Sequence, residues 1–242
     1  MYFGNVRDSK KSNYFRKMKK IVFMLAAMIL FSLSLSAQNE VKLRFGLLGG
    51  FNMTKWNGEL LPDYSKTYND FLEASSIDDL EDAGFTPGFH VGALADMVIN
   101  DKWSIQPELL FAMEGSKVVD DKFSALFIKI PVVVYYNFLN VGPGQLSPGL
   151  GVYFAGAVGG SRGDGGDTFG KEGVLDEFDW GVNVKVNYEF QKFASGLFAG
   201  LYFAQGLTTS KTTGFGLSVG YKFKYWKYLK RGYNTGVLEY NS

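Results

Sequence analysis

Residues 179–190 alternate strictly between apolar side chains and side chains that are polar or absent. The even positions hold Trp180, Val182, Val184, Val186, Tyr188 and Phe190, and the odd positions hold Asp179, Gly181, Asn183, Lys185, Asn187 and Glu189. Successive side chains of a β-strand point to opposite faces, so this stretch predicts a strand between an apolar and a polar environment. An apolar face bracketed by aromatic residues, opposite a polar face with both signs of charge, is typical of a membrane-spanning barrel.

The same alternation recurs in seven further segments. They lie at about 41–52, 89–99, 103–114, 126–137, 149–156, 193–203 and 214–223. The sequence therefore predicts an all-β fold, an eight-stranded antiparallel up-and-down transmembrane β-barrel. Eight strands make the smallest usual barrel, whose interior is filled by side chains and is not an open pore. No repeat of fixed period and no interdomain linker is present, which indicates one domain.

The connections between these segments differ in length. They run over 53–84 (long), 100–102 (short), 115–125 (medium), 138–147 (medium), 159–178 (long), 191–192 (short) and 207–213 (medium). Outer-membrane barrels have short periplasmic turns and longer external loops, so we expect both termini in the periplasm. Only 138–147 is longer than that rule predicts. The first long loop is strongly acidic, and residues 70–80 could form a short helix in it.

The N-terminal region has the features of a secretory signal. Met18-Lys19-Lys20 precedes an apolar run over 21–35, and Ala37 stands before a polar residue. This predicts an N-terminal extension and cleaved signal peptide over 1–37, with residues 1–17 upstream of the signal. The apolar run is too short for a good spanning helix. The barrel would then occupy 38–223, and a periplasmic C-terminal tail 224–242.

Composition and charge remove several classes of function. The chain has no cysteine, which excludes disulfides, thiolate metal sites and a cysteine nucleophile. Removing 1–37 takes seven of the 25 basic and one of the 24 acidic residues, which leaves 18 basic and 23 acidic residues and a charge of about −5. Nucleic-acid binding would call for a basic patch, so we expect no nucleic acid as a partner.

Eight titratable residues fall on the predicted inner face. They are His90, Asp96, Glu108, Glu114, Lys129, Asp179, Lys185 and Glu189. A histidine among carboxylates could act as a general base, whereas charges in a narrow barrel must pair to offset their desolvation. No serine or metal-ligand spacing accompanies His90 in the sequence, so we interpret the set as a structural polar network. The sequence predicts no catalytic residue, no metal site and no cofactor.

Three features outside the strands suggest binding. Arg162-Gly163-Asp164 matches an integrin-binding tripeptide, and Asp164 with Asp167 could ligate calcium, although a solvated glycine-rich loop explains them as well. The acidic first loop could bind a cation or a basic partner, or could simply be solvated. The tail, with Lys224, Lys227 and Trp226, could touch lipid headgroups or a periplasmic partner, or could fray at the interface.

Six short motifs resemble one family. They are GLLGGFN at 46–52, TPGFHVG at 86–92, IQPELLF at 105–111, IPV at 130–132, PGLGVY at 148–153 and GYKF at 220–223. In this order they resemble the PorT-like outer-membrane β-barrel proteins of Bacteroidetes-type bacteria. The resemblance implies an outer-membrane barrel, a class in which most members have no known activity. Two departures stand out: Lys129 precedes Ile130-Pro131 where members often carry an acidic residue, and the chain continues past Phe223, the usual terminal aromatic.

These observations favour an outer-membrane barrel with a filled interior and a structural or loop-mediated recognition role, without catalysis. We expect a monomer surrounded by outer-membrane lipid, with a possible extracellular or periplasmic protein partner. Three alternatives stay open. They are a narrow channel or small-molecule pore, an outer-membrane enzyme that uses His90, and a soluble lipocalin-like barrel whose apolar face lines a ligand cavity.

Overall fold

The structure is a computed structural model that describes residues 42–56, 84–118, 121–137, 139–162, 178–192, 194–208, 211–224 and 226–227. In these ranges no helix is long and apolar enough to cross a membrane. The strands are β1 (Lys42–Trp56), β2 (Gly84–Val98), β3 (Trp103–Val118), β4 (Asp121–Tyr136), β5 (Leu139–Val141), β6 (Gly144–Arg162), β7 (Phe178–Phe190), β8 (Leu197–Gly206), β9 (Thr212–Lys222) and β10 (Trp226–Lys227).

The long strands close into a barrel. Neighbouring strands are antiparallel in the order β1-β2-β3-β4-β6-β7-β8-β9, and β9 pairs again with β1 from Gly46–Lys222 to Trp56–Thr212. The two short strands extend this sheet, since β5 pairs with β6 and β10 pairs with β1. The predicted eight-stranded antiparallel up-and-down barrel is therefore confirmed.

The strands are strongly staggered around the barrel. A path from Leu43 across the sheet runs through Met97, Ile105, Val134, Leu150, Val184, Phe203 and Phe215. It returns to β1 at Met53, ten residues beyond its start. Strand number and stagger together set the width of a barrel, and eight tilted strands leave an interior just wide enough for side chains.

The two faces of the sheet are opposite in character. In β7, Trp180, Val182, Val184 and Val186 are exposed on the outside, and the residues between them are buried inside. The outward apolar residues of β7 run from Trp180 to Phe190, which is ten residue intervals. At a rise of about 3.3 Å per residue and a tilt of about 40°, this length spans about 25 Å along the barrel axis. The apolar band of outer-membrane barrels has the same height. The predicted inward and outward faces are confirmed in the described parts of all eight strands. The segment predicted at 193–203 begins only at Leu197, because 194–196 form a turn in which Gly196 has a positive φ of 94°.

The barrel has two different ends. One end, the turn-side rim, carries the connections at 99–102, 142–143 and 191–196, and also the start of β1 at Lys42 and the end of β10 at Lys227. The other end, the loop-side rim, carries the connections at 57–83, 119–120, 163–177 and 207–211. Aromatic pairs mark the turn-side rim: the rings of Trp103 and Tyr136 lie 4.7 Å apart, and those of Tyr221 and Phe223 lie 5.7 Å apart. Aromatic residues at this depth are typical of a membrane–water interface.

Interior glycines make room for large neighbours. Gly220 lies opposite Phe198, and Gly181 lies opposite Tyr153 on the adjacent strand. A Cβ atom at Gly220 would come within 2.5 Å of the Phe198 ring, and one at Gly181 within 2.7 Å of the Tyr153 ring. Each large side chain thus lies over a residue without one, which lets a narrow lumen be packed closely.

Two connections differ from the sequence prediction. The predicted medium loop at 115–125 is a hairpin, in which β3 and β4 stay paired to Val118–Asp121. The predicted turn at 138–147 contains β5, and Gly142 with a positive φ of 59° closes a tight turn to β6. The first was missed because 115–122 carries few apolar residues, so its outward positions give no periodic signal. The second was missed because β5 has only three residues, too few to show a period, and is followed by the turn residues Gly142 and Pro143.

The sheet also continues past Phe223 into the predicted tail. Trp226 and Lys227 pair with Leu43 and Lys42, one residue out of step with the β1–β9 register. The Phe223 amide donates to the Phe45 carbonyl at 2.7 Å, so the extra residue is accommodated between 223 and 226. The predicted signal segment and the helix expected over 70–80 lie outside the described residues.

Gly149 and Gly159, both in β6, provide a test of the interior packing. A Cβ atom at Gly149 would lie within 2.7 Å of the Tyr135 ring and Val133, whereas one at Gly159 meets nothing within 4 Å. We expect Gly149→Ala to lower the free energy of unfolding by about 1–3 kcal/mol through overpacking. Gly159→Ala should change it by less than about 0.5 kcal/mol. Guanidinium unfolding in detergent, followed by tryptophan fluorescence, measures both, and equal effects would contradict the packing argument.

Candidate functional site

The polar interior is the candidate site, and the structure places all eight predicted titratable residues in it. Seven are buried, and the side chain of Glu189 is 13% exposed. They come from β2, β3, β4 and β7 and project inward because each lies at an inward position of its strand. Their charged groups meet at three levels along the barrel axis.

The first level lies near the turn-side rim and joins four charges. Arg44 and Asp96 are directly opposite each other on β1 and β2, with the Arg44 Nη2 donating to Asp96 Oδ2 at 2.5 Å. The same guanidinium also donates to both carboxylate oxygens of Glu189, which reaches across the lumen from β7. Lys222 Nζ lies 3.1 Å from Asp96 and 3.2 Å from Glu189. Two cations and two carboxylates thus neutralise one another across four strands.

The second level lies in the middle of the barrel. Lys185 Nζ, from β7, donates to both carboxylate oxygens of Glu108, from β3, at 2.7 Å each. The Gln106 amide donates a further hydrogen bond of 2.9 Å to Glu108. The strands β3 and β7 are on opposite sides of the barrel, so this ion pair crosses the lumen.

The third level lies closer to the loop-side rim. Lys129 Nζ donates to Glu114 at 2.6 Å and lies 4.4 Å from the centre of the Tyr153 ring. The Tyr153 hydroxyl donates to Asp179 at 2.8 Å, and the Thr208 hydroxyl donates to the other oxygen of the same carboxylate. Asp179 is therefore held by two hydroxyl groups, one of them from the β8–β9 connection.

His90 lies between the second and third levels. Its Nε2 is 2.8 Å from the Ser218 hydroxyl, and its ring packs edge-on against Tyr202 at 5.6 Å. The expectation that no serine accompanies His90 is therefore wrong: β2 and β9 both flank β1, which brings the two side chains together. Among the described residues, Nδ1 has no hydrogen-bond partner, so no third group orients the ring as a nucleophile–base pair would require.

The space beside His90 is small. A cavity of about 30 Å³ is lined by apolar side chains and by a polar set that comprises His90, Glu114, Lys129, Tyr153, Asn183, Lys185, Tyr202 and Ser218. A water molecule needs roughly 10–15 Å³ by this measure, so the cavity accommodates a water molecule or two and no substrate. Buried Nδ1 of His90 and Oδ1 of Asn183 are the groups that such water would satisfy.

Sequence reasoning missed several members of the network. Arg44, Gln106, Tyr153, Ser218 and Lys222 are all buried and hydrogen-bonded to the predicted set. The alternation of the strands could have identified them. Each of these residues lies an even number of positions from an inward glycine or charged residue of the same strand, and therefore faces inward too.

The loop candidates are placed differently. Arg162 is the last residue of β6, opposite Phe123, and its side chain lies outside the described part of the structure, as do Asp164 and Asp167. Within the described part, no three histidine or acidic side chains are grouped to hold a metal ion.

A closed eight-stranded sheet with an apolar exterior and an ion-paired interior defines a β-barrel that spans the bacterial outer membrane. The chain belongs to the outer membrane protein beta-barrel domain family, whose model matches residues 36–212.

Several solved structures are similar in shape. Ail, the attachment invasion locus protein of Yersinia pestis, in complex with the heparin analogue sucrose octasulfate, is 11% identical over 76% of this chain and 100% of its own, with a TM-score of 0.41. Neisserial surface protein A is 17% identical over 74% and 95%, with a TM-score of 0.42. OprG from Pseudomonas aeruginosa is 10% identical over 76% and 95%, with a TM-score of 0.39. At these values the likenesses say nothing about ligands or activity. No curated protein matches the chain.

The Glu108–Lys185 pair gives a test of how the interior is stabilised. Lys185→Met leaves the buried Glu108 with only Gln106 as a donor, and we expect it to lower the free energy of unfolding by about 3–5 kcal/mol. The double variant Lys185→Met/Glu108→Leu removes both charges and should recover most of that loss. Lys192→Met, at an exposed turn, is the matched control and should change little. A double variant no more stable than the single one would contradict the pairing argument.

Proposed function

We propose that this protein is an outer-membrane barrel with a closed lumen, which serves as a rigid support for its external loops in a structural or recognition role without catalysis. The observation that carries the proposal is the crossing of the lumen by ion pairs at the first two levels, Arg44–Glu189 and Lys185–Glu108. At the third level Lys129 and Glu114, from neighbouring strands, occupy the lumen. Large inward side chains such as Leu48, Leu94, Leu110 and Phe198 are buried between the charged groups. A barrel packed in this way leaves its connections as the part free to vary and to bind.

The absence of catalysis is proposed from the surroundings of His90. The cavity beside it is of the size of a water molecule or two, and its ring lacks an orienting group among the described residues. A general base must lie within hydrogen-bond reach of a substrate proton, for which this site has no room. The His90–Ser218 pair fits the role of a buried hydrogen bond that fills the barrel.

We also propose a narrower family, an orientation in the membrane and the bounds of the processed segments. The six motifs support placement among the PorT-like barrels, and the short connections at the turn-side rim support a periplasmic location for both termini. Residues 1–37 would be the removed N-terminal extension and signal, 38–223 the barrel, and 224–242 a periplasmic tail whose first residues extend the sheet. The barrel would be a monomer in outer-membrane lipid, with any protein partner on its loops or its tail.

The soluble lipocalin-like alternative does not fit the arrangement of the faces. Phe51 is 76% exposed on the outside, and Arg44, Glu108 and Lys185 are buried inside. A lipocalin-like barrel would need the reverse, with the apolar face lining its cavity.

Conductance separates the closed barrel from a narrow channel. We expect protein that shows a heat-dependent gel shift, and is therefore folded, to give no single-channel current above that of the bare bilayer, because side chains fill the lumen. Planar-bilayer recordings at high salt make the measurement. Reproducible current steps from folded protein would favour the channel.

The orientation can be tested with single cysteines, since the natural chain contains none. Asp63→Cys lies in the connection between β1 and β2, and Lys192→Cys lies in the exposed turn between β7 and β8. We expect a membrane-impermeant maleimide to label Asp63→Cys on intact cells and Lys192→Cys only after the outer membrane is permeabilised. The reverse pattern would place the termini outside the cell.

A further inference from the structure

Backbone pairing is less regular on one side of the barrel than on the other. The ladders β1–β2, β1–β9, β6–β7, β7–β8 and β8–β9 run without a break. Among the described strands, breaks and register shifts fall in the ladders that β3 and β4 form with their neighbours. We propose that β3 separates locally from β4 at residues 106–109, and that the ion pair of Glu108 with Lys185 is the latch that keeps this part of the wall closed. Such an opening is a property of the wall alone, so it depends neither on the orientation of the barrel nor on the role of its loops.

Proline explains the break between β3 and β2. Their pairing stops at Leu94–Glu108 and resumes at Met97–Ile105, with Pro107 between the two points. Because proline has no N–H group, it cannot donate to the strand that it faces, and the pairs next to it lose their regular pattern. The wall therefore lacks one ladder hydrogen bond between β2 and β3 at this point.

A second proline breaks the next ladder at almost the same point of β3. The pairing of β3 with β4 stops at Pro107–Val132 and resumes at Leu110, three residues further along β3. The register of these strands places Pro131, on β4, opposite Glu108. Since Pro131 has no N–H group, the carbonyl of Glu108 has no donor across this ladder. Two successive residues of β3 thus each lose a bond, one to each neighbouring strand.

These breaks lie inside the apolar band of the barrel. Ile105, Leu109 and Phe111 point outward from the same stretch of β3, and all three are apolar. Hydrocarbon offers no partner for a carbonyl that lacks its ladder donor, so the loss is not compensated by water. Prolines in a sheet are usually confined to edges and bulges, and a costly local feature of this kind is a reason to infer a function. This stretch is the part of the wall that is easiest to open.

The Glu108 side chain ties this stretch to the opposite wall. Lys185 Nζ donates to both of its carboxylate oxygens at 2.7 Å, and the Gln106 amide donates to it at 2.9 Å. Lys185 belongs to β7, whose ladders with β6 and β8 are unbroken. If β3 moved outward, the two charges would have to separate in a poorly solvated space, which is costly. The regular side of the wall thus holds the irregular side in place.

The cavity beside His90 lies directly behind this part of the wall. Leu110 and Ala112 from β3 line it, together with Lys129 and Pro131 from β4. A local opening between the two strands therefore connects the cavity with the lipid at the side of the barrel. The ion pairs of the first and third levels stay in place, so the opening passes no current along the axis.

Amide hydrogen exchange tests the local opening, measured residue by residue by NMR on the full chain refolded in detergent micelles. The reporters are the amides of Leu109 and Leu110 in β3, and the references are those of Leu201 and Leu217 in the unbroken β8–β9 ladder. Relative to the rates of an unfolded chain, we expect the reporters to exchange about tenfold faster than the references, or more, because they open without global unfolding. Equal rates would overturn the proposal.

Replacement of the two prolines should strengthen this part of the wall. Pro107→Ala/Pro131→Ala supplies both missing N–H donors, and we expect the reporters to exchange about tenfold more slowly, the factor for about one hydrogen bond. Pro148→Ala is the matched control, because Pro148 also points outward but lies in an unbroken ladder with β7. It should leave the reporter rates within about threefold. Reporter rates that the double variant does not lower, or that Pro148→Ala lowers as much, would contradict the local opening.

Lys185→Met tests the latch. It leaves Glu108 without its partner from the opposite wall, and we expect it to accelerate the reporters about tenfold more than the references. Gln106→Leu removes a neutral donor to the same carboxylate and should act in the same direction by about threefold. It decides the question if Lys185→Met lacks the heat-dependent gel shift of folded protein. Lys192→Met, at an exposed turn, should change neither set, and acceleration of reporters and references by the same factor would refute the latch.

Discussion

Peptide groups have no hydrogen-bond partners in the hydrocarbon of a membrane, and this constraint determines the rest of the structure. A sheet that crosses lipid must pair every strand on both sides, so β9 returns to β1 and the barrel has no edge. With eight strands, closure leaves a lumen of side-chain width. Outward positions must then be apolar, and inward positions must fit both the limited volume and the electrostatics of a narrow space shielded from water.

The interior meets the electrostatic requirement because the charged side chains that reach across the lumen are paired with charged side chains from other strands. Glu108 and Lys185 join opposite walls, and the group around Arg44 joins four strands. Such pairs brace the wall from within, and they would be costly to separate because either charge alone would be left in a poorly solvated space. The same packing limits chemistry: His90 lies beside a hydroxyl group but next to space for a water molecule or two only.

The sequence was informative wherever one strand face met lipid. Alternation identified all eight strands and the inward parity of residues such as Asp96 and Lys129, because a one-residue error would expose every apolar side chain to the wrong side. It failed at the β3–β4 hairpin, where outward residues such as Lys117 are no longer apolar. It also failed at β5, which has only three residues and so shows no period. The alternation also could not predict which charged residues pair across the lumen. Glu108 and Lys185 lie 77 residues apart, and only the stagger of the closed barrel decides which charges share a level.

The matching of glycines to large inward side chains has a consequence for how this sequence can change over time. Tyr135 fits because Gly149, opposite it on β6, has no side chain, and the atoms nearest to a Cβ there belong to the side chains of Tyr135 and Val133. Neither member of such a couple can vary alone: a larger residue at the glycine requires a smaller one across the strand boundary first. Among homologues, the sizes of the two residues in such a couple should therefore change together. Substitutions at paired inward positions should be correlated across neighbouring strands and so report the register, whereas lipid-facing positions should vary independently.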